Sequence, residues 1–218
     1  MKKDWVKILL AFFSFVILAI FLVSIWYMKK HRDAYTINPV RPKEFPEILI
    51  VSEDAQRIDY SSPADTRRAA HTYMVSYEVN DPYPSERTYD FITKRLTSNG
   101  WQRLRYDLLN PQSPLWQAPF VPEYLDPNTV DILFPKRKQK GSYPVLWRKE
   151  NWIKYDDYII VTLSYFADLS TKKVDRDRLH VGLEFFGRDS WIKPWILKYK
   201  QIHPEEFDEG TSVPQPEK

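Results

Sequence analysis

The chain contains no cysteine. Within it there are therefore no disulfides, no thiolate metal ligands, no thiol nucleophile and no thioester-linked lipid. Oxidising compartments penalise stray thiols, so the absence also favours an exported domain. Glycine is scarce, with five in 218 residues. None of Gly100, Gly141, Gly182, Gly187 and Gly210 sits in a phosphate-cradling loop, and no serine sits in a Gly-x-Ser-x-Gly elbow. The four histidines, His31, His71, His180 and His203, include no pair at the spacing of a helical metal motif. No metal and no cofactor is expected. Charge of one sign is lacking too: 32 Lys and Arg face 29 Asp and Glu, for a net charge of +3. Nucleic-acid binders concentrate a basic excess, so nucleic acid is not an expected partner.

What the chain has in quantity is aromatic residues, 16%, including eight Trp and fourteen Tyr. Disordered chains are poor in them, which argues for a packed domain. The chain also has one long apolar run. From Ile8 to Met28 no residue carries a charge. As a helix those residues span about 31 Å, the hydrocarbon thickness of a bilayer. Trp5 and Trp26-Tyr27 stand at the two ends, where amphipathic rings favour the interface. A cleaved signal peptide fits less well: the run is longer than a signal core, and bulky Ile25-Trp26-Tyr27-Met28 replaces a small-residue cleavage site. Residues 1–28 are thus expected to form a head and a transmembrane anchor, with the lipid bilayer as partner through residues 8–28. Lys2, Lys3 and Lys7 precede the run and Lys29, Lys30 and Arg32 follow it, a tie that Arg41 and Lys43 tip slightly toward a cytoplasmic domain. The short hydrophilic head favours an inside N-terminus and an extracytoplasmic domain.

Residues 29–47 are polar and carry Pro39, Pro42 and Pro46, which predicts an extended linker. The soluble domain is expected over 48–202. Ile48–Val51 is a candidate edge strand. Alternation of Tyr73, Val75, Tyr77 and Val79 with mostly polar residues predicts a half-buried strand. After the break at Asp81-Pro82-Tyr83-Pro84, Ser85 is a candidate N-cap for a helix over 86–98, whose stripe is Tyr89, Ile92 and Leu96. Asn99-Gly100 stops it. A second strand is expected over 101–109. Residues 110–156 are rich in proline and aromatics and are expected to pack on the domain, with a strand near 143–149. Two more strands are expected over 157–166 and 178–186. The tail from 203 to 218 is acidic, carries proline and is expected to be disordered. This order predicts an α+β fold, a mostly antiparallel sheet with one main helix on one face.

The succession of Tyr73 to Val79, Tyr83-Pro84-Ser85, Phe91-Ile92 with Leu96, and Gly100-Trp101 resembles a strand, Tyr-Pro, helix, Gly-Trp, strand pattern. It is similar to that of uncharacterised membrane-anchored bacterial envelope proteins carrying one small domain. It covers about 35 of the 218 residues. The resemblance implies an envelope location at the cell membrane and brings no active site.

Three groups of polar residues are candidates for a site. By parity, His180 and Glu184 point away from the apolar face of their strand, where Glu78, Arg103 and Arg105 from other strands would join them. Two arginines beside a histidine would suit an anionic ligand, since guanidinium presents a planar donor fork. The competing reading is an ordinary solvated face. Lys136, Arg137, Lys138 and Lys140 form the basic run and would meet anionic headgroups, or simply solvent. Asp156-Asp157 are adjacent and point to opposite faces of a strand, unlike the convergent pair of a glycosidase. His71 reads as a core or rim histidine. Trp191, Ile192, Trp195 and Ile196 are expected to close the core from the edge; exposed, they would mark a partner or membrane contact. The functional expectation is a membrane-anchored, non-catalytic envelope protein that binds a protein or envelope component. The alternative is an anion sensor or enzyme using Arg103, Arg105, His180 and Glu184.

Overall fold

This computed structural model describes residues 13–26, 35–38, 40–63, 71–115, 120–126 and 141–207. Residues 13–26 are helical and are labelled α1. They are apolar apart from Ser14 and Ser24, and all are exposed except the partly covered Val16. Among the described residues no helix is long and apolar enough to cross a membrane. The predicted span of 8–28 begins and ends outside the described part of α1.

The domain is α+β. Among the described residues its main sheet has seven strands in the order β1-β2-β3-β9-β8-β7-β4. The strands are β1 (Tyr35–Asn38), β2 (Gln56–Pro63), β3 (Thr72–Val79), β4 (Gln102–Arg103), β7 (Ser142–Lys154), β8 (Asp157–Asp168) and β9 (Val174–Phe186). Every pairing among them is antiparallel. A separate hairpin joins β5 (Tyr106–Asp107) to β6 (Asn110–Pro114). The helices of the domain are α2 (Glu86–Ser98) and α3 (Lys193–Ile202).

Strand β8 is central, and its sequence says so. From Tyr158 to Ala167 it is nearly continuously apolar or aromatic and mostly buried. That composition belongs to a strand covered on both faces. On one face Ile159, Val161, Leu163 and Tyr165 pack with Leu179, Val181 and Leu183 of β9 under Ile92 and Leu96 of α2. On the other, Tyr158, Ile160 and Phe186 pack with Leu104, Leu108, Ile192, Ile196 and Tyr199. The expectation of one helix on one face is therefore corrected. α3 covers part of the opposite face, and Ile192 and Ile196 belong to that second core rather than to an edge.

The predicted helix over 86–98 and the strand ending at Val79 are found as expected. Ser85 is the N-cap, but its hydroxyl makes no capping bond. It donates to the Asp81 carbonyl at 3.0 Å, and the Asp81 carboxylate accepts the Thr88 N–H at 2.8 Å in its place. The carboxylate satisfies an orphan donor and meets the positive end of the helix.

Other expectations are changed. Ile48–Val51 does not form a strand; Glu47–Leu49 is a short 3₁₀ turn that buries Leu49. The strand expected over 101–109 is broken into β4 and β5, and Leu104 is buried between them. β7 runs well past the expected 143–149, bulges between Leu146 and Arg148, and reaches β8 through Tyr155-Asp156. β1 falls within the stretch expected as linker, and pairs Tyr35 with Pro63 through Asn38 with Tyr60. At the other end, His203 and Glu206 of the expected disordered tail are buried. Residues 208–218 lie outside the described residues.

Candidate functional site: the open half of the second sheet face

Among the described residues, α3 and the β5–β6 hairpin cover only one end of the second face. The register maps the rest as a grid. One row across β3, β9, β8 and β7 is Glu78, His180, Ser164 and Leu146. The next, starting on β2, is Asp59, Ser76, Gly182, Thr162 and Lys149. The third is Ser61, Met74, Glu184, Ile160 and Asn151, where the covered core begins. Adjacent strands lie about 4.8 Å apart and successive rows roughly 7 Å apart. The remaining part is therefore a floor of small side chains, the partly exposed Ser76, Gly182 and Thr162 and the buried Ser164, between two titratable ends. Gly182 keeps the floor low: a Cβ there would stand 2.6 Å from Thr162 Oγ1.

At one end His180 is half-buried, edge-on to Phe166 at 5.2 Å between ring centroids. Burial holds its pKa below the usual histidine value, against the pull of Glu78 and Asp59. Its Nδ1 is buried without a hydrogen-bond partner. Glu78 beside it is held by Arg57 at 3.1 Å and Arg178 at 3.5 Å. At the other end, burial raises the Glu184 pKa, and Lys149 opposes the rise. Lys149 cannot neutralise it fully, because its ammonium is committed to Asp107 at 2.6 Å.

The two titrations have opposite signs. His180 binds a proton more readily unfolded than folded, so its contribution to stability falls as pH drops below 6.5 toward the folded pKa. Glu184 binds a proton more readily folded, so stability is lost as pH rises from 4.5 through the raised value. Glu184→Gln is therefore expected to raise the melting temperature at neutral pH and leave it unchanged at pH below 4.5. Thermal unfolding across that range checks the sign.

The predicted constellation is half assembled. His180, Glu184 and Glu78 share this face. Arg103 does not: β4 is three strands from β9, and Arg103 lies on the α2 side, bonding Tyr89 Oη at 2.8 Å and Glu150 at 3.3 Å. Arg105 is exposed beyond β4, where its backbone N–H meets Glu206 at 3.4 Å. The cations actually facing this region are Arg57, Arg178 and Lys149, and sequence parity alone could not say so without the strand order. Lys136, Arg137, Lys138 and Lys140 lie outside the described residues. Asp156 pairs with Lys200 at 3.2 Å and Asp157 accepts the Arg188 N–H at 3.0 Å, which gives each a structural partner. His71 is exposed at the start of β3, with φ of 60°, and is not a core residue.

Three arrangements bring chemically capable groups together. Ser164, His180 and Glu78 stand side by side on adjacent strands, in the order of a relay. No hydrogen bond links them among the described residues, and Glu78 is engaged by two arginines, so there is no activated hydroxyl. Ser85, with φ of 59° at a strand-to-helix turn, contacts the Tyr165 hydroxyl, whose pKa burial pushes up to about 12. Ser85 is only 1% exposed.

Finally, His203, Glu205 and Glu206 bring ligand-type atoms within 4.8 Å of one another. Each is already used. His203 bonds the Pro111 carbonyl through Nε2 at 2.6 Å and Glu205 through Nδ1 at 3.0 Å, and stacks on Tyr106 at 4.2 Å. Glu206 accepts from Tyr199 Oη at 3.1 Å. The cluster fastens the end of α3 to the β5–β6 hairpin.

No protein-family model matches the chain, and comparisons with curated proteins and with solved structures find no match.

Proposed function

We propose that the chain is a single-pass, membrane-anchored envelope protein whose α+β domain binds a protein or envelope component without catalysing a reaction. The observation that carries the anchor is the state of α1. Phe13, Phe15, Ile17, Leu18, Ile20, Phe21, Leu22, Val23, Ile25 and Trp26 are exposed by 42–69%. A helix apolar around its whole circumference is buried in a core or spans a membrane, and the described domain does not cover this one. The fourteen described residues reach about 21 Å; the uncharged sequence from Ile8 to Met28 supplies the rest of a span of about 31 Å. The chain is read with its N-terminus inside and its domain outside the cytoplasm, in agreement with the missing cysteines. A reporter fused after Lys218 and active only outside the cytoplasm is expected to give signal. An expressed but inactive fusion contradicts this orientation.

The binding reading rests on the open face, where a small-residue floor and an unpartnered His180 Nδ1 invite an occupant while no reactive relay is formed. A photo-crosslinking side chain at Ser76 or Thr162 in intact cells is expected to trap one discrete adduct. The same group at exposed Lys94 on α2 is the control. Equal labelling at both positions removes the open face as the binding surface.

A further inference from the structure

The outward side of α3 has the chemistry of a second membrane contact. Ile192, Ile196 and Tyr199 fill the core beneath it. Its other side is mixed: Lys193, Lys198 and Gln201 are exposed there, but so are large apolar side chains that an ordinary surface helix does not present. Trp191 is 43% exposed, Leu197 59% and Ile202 38%. Pro194 is exposed beside them, and Trp195 is partly covered. Interleaved with these are Lys193 and Lys198, both exposed. Lys198 extends its ammonium over the Trp195 ring, 5.5 Å from the centroid. Neither lysine makes an ion pair among the described residues, whereas Lys200 on the flank is paired with Asp156. The helix itself contains no acid; Asp189 precedes it by four residues, and Glu205, held by His203 at 3.0 Å, follows it by three.

Exposed tryptophan and leucine among lysines make up an interfacial surface: the rings sit at headgroup depth, the aliphatic stems lie along the apolar area, and the ammonium groups reach anionic lipid. We infer that the outer face of α3, through Trp191, Leu197, Lys193 and Lys198, docks the domain on an anionic lipid surface. The inference rests on the anchored reading above. A chain already tethered beside the bilayer needs only a weak surface affinity to stay docked, because the second contact is intramolecular. Docking would lay α3 in the plane of the interface and fix which way the open sheet face points.

The absence of cysteine makes the test direct, since one introduced thiol carries the only label. The full chain is reconstituted in vesicles of phosphatidylcholine, with and without phosphatidylglycerol, bearing an environment-sensitive fluorophore at L197C or, separately, at L18C. The L18C probe is expected to report an apolar environment in both lipids. The L197C probe is expected to report one only with phosphatidylglycerol, and K193Q/K198Q is expected to weaken that docking by about 30-fold. An aqueous L197C probe in phosphatidylglycerol vesicles overturns the inference, and an apolar L18C probe in the same vesicles leaves the anchor standing. An aqueous L18C probe fails the anchor itself, and the L197C signal still decides whether α3 meets lipid. A shift at L197C that is equal in pure phosphatidylcholine and in detergent overturns the lipid reading and marks a contact between copies of the chain.

Discussion

Truncating Leu163 to alanine is expected to lower the unfolding free energy by about 2–5 kcal/mol, and Phe186 to alanine by about 3–5 kcal/mol. Leu163 is 0% exposed on the α2 side of the sheet, and Phe186 is 2% exposed on the α3 side. Each deletion removes apolar contact and leaves a cavity that a strand fixed by two neighbours cannot collapse. The pair distinguishes a sheet with two packed faces from one with a single core. A one-core protein would lose little at Phe186. The residues lie in different clusters with no shared partner, so the double variant is expected to add to within about 0.5 kcal/mol. Urea unfolding of the three variants measures all of this. A loss at Phe186 below about 1 kcal/mol would contradict the second core.

The other large effect concerns α1. Ile17 and Phe21 lie in the middle of the uncharged run and are 65% and 60% exposed. Lysine at the centre of a spanning helix costs about 2.5–3.5 kcal/mol, so I17K/F21K is expected to lose roughly 5–7 kcal/mol of insertion free energy. The variant is expected to move from the membrane to the aqueous fraction while the domain keeps its near-ultraviolet circular dichroism. Ile17→Leu with Phe21→Leu is the matched control and is expected to stay with the membrane. Retention of the lysine variant at the level of the control would mean that something other than α1 holds the chain there.

Where the sequence was readable, one face of an element differed from the other. β3 and β9 alternate cleanly, and α2 has a stripe of Tyr89, Ile92 and Leu96 ended by Asn99-Gly100, so their positions and inward faces could be read in advance. α3 gave no such contrast. Leu197, and Trp191 just before the helix, break up an outer side that otherwise carries Lys193, Lys198 and Gln201, and Pro194 looks like a breaker although a proline in the first helical turn is tolerated. β2 was missed for the opposite reason: Gln56, Arg57, Asp59, Ser61 and Ser62 leave only Ile58 and Tyr60 to mark a strand. In β7 the bulge at Trp147 shifts the period, and Arg148 and Glu150 look like loop charges. Both are accommodated on the α2 side, Arg148 with its guanidinium 3.8 Å from the Tyr89 ring centroid and Glu150 accepting from Tyr89 Oη at 3.0 Å.

The site followed the same division. Parity along one strand placed His180 and Glu184 together, and the pairing of β3 with β9 set Glu78 directly opposite His180. Which arginines stand near them depends on strand order, a property of long-range closure that no local pattern carries. β4 lies at the far edge of the sheet, three strands from β9, and its register with β7 turns Arg103 to the α2 side; Arg178 and Arg57 take the position beside Glu78.

Extraction of the native full-length chain tests directly whether α1 is a membrane span. Membranes from cells expressing it are washed with high salt and then with alkaline carbonate, which strips proteins held by surface charge and leaves spanning helices in the lipid. The chain is expected to remain in the pellet through both washes and to leave it only with detergent. Release of the chain by carbonate alone would contradict the anchor.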